Sequence, residues 1–253
     1  MRGRLAHALF FLSVLALFFT IFPRPLAAAR KDAAKKAPAD KVNCLTCHKQ
    51  LTKGKSVHQA LAMGCPTCHV GINGKTFPHK KTNTLPRGLS SEQPDLCYGC
   101  HDRGMFSKKV VHAAVGMGCT GCHDPHSSKN EKLLRSKLPS LCFTCHEEAG
   151  FTGKTVHSPV AAGECMTCHT PHASDEMALL RNKPLEVCLM CHGDIGHWPH
   201  YSAQAPERQD PTRPGKPFYC GSCHNPHSTD GPRLLKFKAQ SSKEFCLNCH
   251  MKG

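Results

Sequence analysis

The chain predicts a mostly irregular, repeat-built fold with few short α-helices, whose apolar interior comes from attached prosthetic groups rather than from side chains. Three observations support this. The pentapeptide C-x-x-C-H occurs nine times, as CLTCH at 44–48, CPTCH at 65–69, CYGCH at 97–101, CTGCH at 119–123, CFTCH at 142–146, CMTCH at 165–169, CLMCH at 188–192, CGSCH at 220–224 and CLNCH at 246–250, and it uses all 18 cysteines. The motifs repeat with a period near 45: Cys97 to Cys142 is 45 residues and Cys142 to Cys188 is 46. Aromatic residues make up only 6% of the chain, while 19 prolines and 20 glycines interrupt any long helix.

Cys119–His126, CTGCHDPH, shows what each motif can do. Cysteines at i and i+3 share one face of a helical turn, so both sulfurs can add to the two vinyl groups of one haem while the next residue points its imidazole at the iron. C-x-x-C-H is the c-type haem attachment signature. A zinc knuckle, a redox dithiol or a disulfide framework would not demand a histidine after every second cysteine. The attachment residues are therefore Cys44, Cys47, Cys65, Cys68, Cys97, Cys100, Cys119, Cys122, Cys142, Cys145, Cys165, Cys168, Cys188, Cys191, Cys220, Cys223, Cys246 and Cys249, with nine covalent haems as the cofactors. The proximal iron ligands are His48, His69, His101, His123, His146, His169, His192, His224 and His250.

The chain begins with MRGR, an uncharged run from Leu5 to Phe22, and PRPLAAAR. A basic start, an apolar stretch and small residues make residues 1–29 an export signal with cleavage after Ala29. The run is 18 residues long, which also admits an uncleaved inner-membrane anchor. No cysteine precedes Cys44, so no lipidated cysteine anchors the mature N-terminus. Residues 30–42, rich in Ala and Lys, read as a flexible leader.

The haem domain, 43–253, divides into repeats at 44–94, 95–140, 141–187 and 188–245, with a half-repeat at 246–253. Each full repeat holds two haems, and the half-repeat holds one. In the regular repeats a first motif is followed by Val-His, a second motif, Pro-His and a Leu-Leu-basic triplet. The triplets are Leu133-Leu134-Arg135, Leu179-Leu180-Arg181 and Leu234-Leu235-Lys236, whose leucines read as cover for a porphyrin. The first unit stretches its Pro-His to Phe77–His79, and the fourth carries an insertion at about Tyr201–Phe218. A mature chain of 224 residues leaves about 25 residues per haem, so the extended row of haems is itself the core.

Nine histidines remain outside the motifs and the signal: His58, His79, His112, His126, His157, His172, His197, His200 and His227. Nine further histidines for nine irons predict bis-histidine coordination throughout. His126, His172 and His227 lie three residues after a proximal histidine, too close to pass round the porphyrin, so they must ligate neighbouring haems. His197 and His200 complete the count for the fourth unit and the terminal haem. Met63 and Met117, each two residues before a second-motif cysteine, are alternative ligands, with packing against haem the plainer reading.

The formal charge of +15 does not indicate nucleic-acid binding. Removing residues 1–29 takes away Arg2, Arg4 and Arg24 and no acid, leaving +12. Propionates bring the haem-loaded protein to about +3 when oxidised and about −6 when reduced.

CHDPH, CHTPH and CHNPH after lone C-x-x-C-H motifs, at a period near 45, resemble the doubled-CxxCH multihaem cytochromes c. That family includes periplasmic components of porin–cytochrome conduits and pentahaem donors to nitrite reductase. The resemblance implies an extended bis-histidine haem chain in the periplasm of a respiring bacterium. A secreted or inner-membrane-anchored location is the alternative. The expected partners are redox proteins: an inner-membrane quinol oxidase or periplasmic cytochromes, and an outer-membrane porin–cytochrome complex. Six-coordinate haems leave no site for substrate, so the expected function is electron transfer and not catalysis. The competing classes are a reductase of nitrogen or sulfur oxyanions with one open-site haem, at His192 or His250, and a subunit of an extracellular filament.

Overall fold

Successive repeats are stitched together by pairs of two-residue strands. In the computed structural model, which describes residues 42–193, 209–239 and 241–250, the strands are β1 (Ser56–Val57), β2 (Ile72–Asn73), β3 (Lys80–Lys81), β4 (Val110–Val111), β5 (Ser127–Ser128), β6 (Thr155–Val156), β7 (Ala173–Ser174) and β8 (Ser228–Thr229). β1 pairs with β5, β4 with β7 and β6 with β8, all antiparallel, each joining one unit to the next. The hairpin β2–β3 stays within the first unit. The Val of each Val-His faces the residue after the histidine of the next unit's Pro-His: Val57 opposite Ser127, Val111 opposite Ala173, Val156 opposite Ser228.

The helices are short, as the prolines and glycines require. They are α1 (Leu45–His48), α2 (Asp95–Tyr98), α3 (Ser158–Ala161), α4 (Pro184–His192), α5 (Cys220–Cys223) and α6 (Ser242–Cys246). Proline at the first position of α4 fits a helix start, where its missing N–H costs nothing, and Gly193 at φ 49° ends it. The motifs at Cys65–Thr67, Cys119–Gly121, Cys142–Thr144 and Cys165–Thr167 form single 3-10 turns. Outside α4, the amide of every motif histidine donates to the carbonyl of the first cysteine at 2.9–3.1 Å, an α-type closure that puts both sulfurs and the imidazole on one turn.

The Leu-Leu-basic triplets follow a distinct backbone path. Lys132 and Leu133 have φ of 53° and 59°, Ala178 and Leu179 have 51° and 59°, and Arg233 and Leu234 have 53° and 59°. With Leu134, Leu180 and Leu235 donating to the carbonyls of Glu131, Met177 and Pro232 at 3.1 Å, each triplet closes a type I′ turn. Arg87 and Gly88, at φ 56° and 62°, make the same turn in the first unit, so PRGLS at 86–90 is the fourth copy of the triplet in altered form. Leu is uncommon in this region of backbone; its glycine counterpart, Gly88, adopts it freely.

Among the described residues Ala173, 3% exposed, is the one buried hydrophobic side chain. The other buried side chains are polar: Ser128, Ser174, Asp210, Ser222 and Ser228. Ser128 and Ser174 donate to the carbonyls of Leu134 and Leu180, pinning β5 and β7 to the turns. Part of the fourth-unit insertion is fixed by Asp210, 1% exposed, which accepts from Thr212 (2.6 Å) and Arg213 (2.7 Å). Arg213 in turn reaches Ser222 of α5 at 3.3 Å. No helix of the described residues is long and apolar enough to cross a membrane. The expected signal at 1–29, nearly all of the leader, and His197 and His200 lie outside the described residues.

Candidate functional site: a series of facing histidines

The histidines meet in twos. Ring centroids lie 6.0 Å apart for His48–His79, 6.1 Å for His58–His101, 6.0 Å for His69–His126, 6.0 Å for His112–His146, 6.0 Å for His123–His172, 5.9 Å for His157–His192 and 5.9 Å for His169–His227. A metal–imidazole bond of about 2 Å, with the ring centre about 1.1 Å beyond the nitrogen, places two rings on opposite faces of one metal about 6.2 Å apart. The spacing therefore fits one haem iron between each pair. Every pair combines a motif histidine with a spare one. Among the described residues no three of His, Cys, Asp and Glu converge as a zinc ligand set.

The chain fixes which ring nitrogen faces its partner. His58, His112 and His157 place Nδ1 at 2.9, 2.8 and 3.0 Å from the carbonyls of Pro125, Pro171 and Pro226, the prolines of the next unit's Pro-His. His69, His123, His169 and His224 place Nδ1 at 2.8–2.9 Å from the carbonyls of Arg87, Lys132, Ala178 and Arg233, the first left-handed residue of each type I′ turn. His79 does the same with Thr76 at 2.9 Å. An Nδ1–H donating to a carbonyl leaves Nε2 as the ligand and makes it more basic.

Burial lowers the pKa of His126 against the opposite pull of Asp124, whose carboxylate lies 3.7 Å from Nδ1. Burial and then the neighbouring histidines do the same for His172 and His227. The neutral imidazole is the form that ligates a metal.

The pairing follows a rule that the sequence does not display. Each Val-His histidine faces the first motif of the next unit, as His58 faces His101. Each Pro-His histidine faces the second motif of the preceding unit, as His126 faces His69. The partner of His126 is thus the histidine two motifs back in the chain, a neighbour in space rather than its own motif. In the first unit His79, on the stretched segment, faces His48 of the same unit. Met63 and Met117 are 59% and 72% exposed, and the proximal histidines that follow them already face His126 and His172.

The cysteines form a continuous series. Cys97 lies close to Cys119 and Cys68, and Cys142 stands likewise to Cys165 and Cys122. Cys44 meets Cys65, and Cys188 meets Cys220 with Cys168 nearby. Cys223 is close to Cys249, so the nine C-x-x-C-H motifs are consecutive neighbours in sequence order.

Sequence reasoning missed the residues that orient the Pro-His ligands. Phe106 packs on His172 at 4.7 Å and Phe151 on His227 at 4.8 Å, each five residues after a first-motif histidine. Their matching offset was a usable signal. The turn carbonyls had none, because a backbone oxygen leaves no mark on residue type.

Attachment turns, facing imidazoles and scarce apolar side chains together define a multihaem c-type cytochrome, an electron-transfer protein. The doubled CXXCH motif matches four times, at residues 58–106, 112–151, 157–205 and 211–253, more than half of the chain, and the chain belongs to that family. No curated protein matches it. The first three matches open on His58, His112 and His157 and run through the next unit's first motif. Each therefore encloses one of the Val-His pairs, and the Pro-His pairs join one match to the next. Cys44–His48 precedes the first match.

Proposed function

We propose that the chain is an exported, periplasmic carrier of nine covalently attached c-type haems, moving electrons between a quinol-level donor and a terminal or outer-membrane acceptor in anaerobic respiration. The observation that supports it is the unbroken series of cysteine neighbours together with seven facing histidine pairs. Each bound haem supplies a one-electron Fe(III)/Fe(II) couple. Among the described residues the chain's part is to bring two imidazoles together at seven motifs, where they would both hold the iron and leave no place for a substrate. Carbonyl partners on Nδ1 raise the donor strength of Nε2, which favours the oxidised form and a low potential suited to quinol-level donors. The ninth site is that of Cys44, Cys47, His48 and His79, and by count His197 and His200 serve His224 and His250.

Intact mass of the exported protein and low-temperature EPR of its oxidised form test this. The expected result is cleavage after residue 29, nine haems and low-spin signals alone. Eight haems would remove the ninth site, and a high-spin signal worth one haem would replace the carrier with an open-site enzyme.

A further inference from the structure

The row of sites is electrically polar. The first unit, 44–94, has seven basic residues and one acid, Glu92; the third, 141–187, has three basic residues and six acids. Each unit carries two attachment motifs, so propionate and iron charges enter both equally and cancel from the comparison. The contrast is sharpest at the ligands themselves. His48 is followed by Lys49 and its facing partner His79 by Lys80 and Lys81, all exposed. At the equivalent first-motif position of the third unit, His146 is followed by Glu147 and Glu148, also exposed. Lys80 and Lys81 lie on β3, paired with Asn73 and Ile72, and both are exposed.

We propose that the first unit, around the His48–His79 pair, is the docking surface for an acidic one-electron partner protein. The proposal rests on the electron-carrier reading. Exposed cations beside both ligands of one site would steer an acidic partner to that end of the series, and the glutamates after His146 would turn it away from the middle. An anionic bilayer would feel the same charges but bring no electron to the site. A protein partner therefore fits the placement better.

The test is stopped-flow reduction of the haem-loaded protein by photoreduced flavodoxin, an acidic one-electron donor, beside reduced lumiflavin, which is small and uncharged. K80E/K81E should slow flavodoxin about tenfold or more at low salt, with the difference closing at high salt, while the lumiflavin rate stays unchanged. K53E/K55E, on the same unit, gives the same reading if the first variant fails to assemble. Equal flavodoxin rates in variant and wild type overturn the proposal. So does a variant that loses only its binding to phosphatidylglycerol vesicles, which would assign the patch to a membrane. If neither donor reduces the wild-type protein, it is the carrier reading that fails.

Discussion

The backbone amide of His58 donates to the carbonyl of His126 across 2.9 Å, yet their side chains face different partners, His101 and His69. His112 with His172 and His157 with His227 repeat the arrangement at 2.8 and 3.0 Å. One backbone contact thus places the spare histidine of two facing pairs, and the same contact joins two units. The placing of the imidazoles and the packing of the repeats therefore share one backbone contact.

This clamp makes the effect of removing His126 specific. H126A should open the site of Cys65 and Cys68, not that of Cys119 and Cys122 beside it in sequence. EPR of the oxidised variant should show one high-spin haem. The signal should vanish in H126A/C65A/C68A, which lacks the opened haem, and persist in H126A/C119A/C122A.

Close backbone approach at the strand pairs limits residue choice. A Cβ on Gly153 would lie 2.7 Å from the Thr229 carbonyl oxygen, whereas one on Gly116 would meet nothing within 4 Å. G153A should part β6 from β8 and cost about 1–3 kcal/mol in denaturant unfolding, with G116A close to neutral.

The type I′ turns carry relievable strain. Lys132 is exposed and sits at φ 53°. Asparagine tolerates that conformation, so K132N should stabilise the protein by about 0.5–1 kcal/mol without disturbing the bond from His123 to the residue 132 carbonyl. A higher unfolding midpoint with an unchanged low-spin spectrum is the expected result.

Asp210 should give a pH signature. Burial alone would raise its pKa, but hydrogen bonds from Thr212, Ser222 and Arg213 outweigh that and hold it well below the usual carboxylate range. A depressed folded-state pKa stabilises above the unfolded value, about 4, and this stability is lost as pH falls toward the folded value. Relative to wild type, D210A should be destabilised at pH 7 by on the order of 3 kcal/mol, and the gap should narrow below about pH 4. Unfolding midpoints of the two proteins across pH 3–7 would show it.

The C-x-x-C-H turns and the shortage of core side chains were legible in the residues, because a C-x-x-C-H turn closes through contacts no more than four residues apart. Which histidine faces which was decided by tertiary structure. His58, His112 and His157 bond carbonyls 67, 59 and 69 residues away, and a composition that repeats in every unit gives such long-range choices no local mark. The left-handed turns fall between these cases. Gly88 adopts the conformation freely, but Leu133, Leu179 and Leu234 occupy it against their own preference, their carbonyls accepting from the residue that follows each motif.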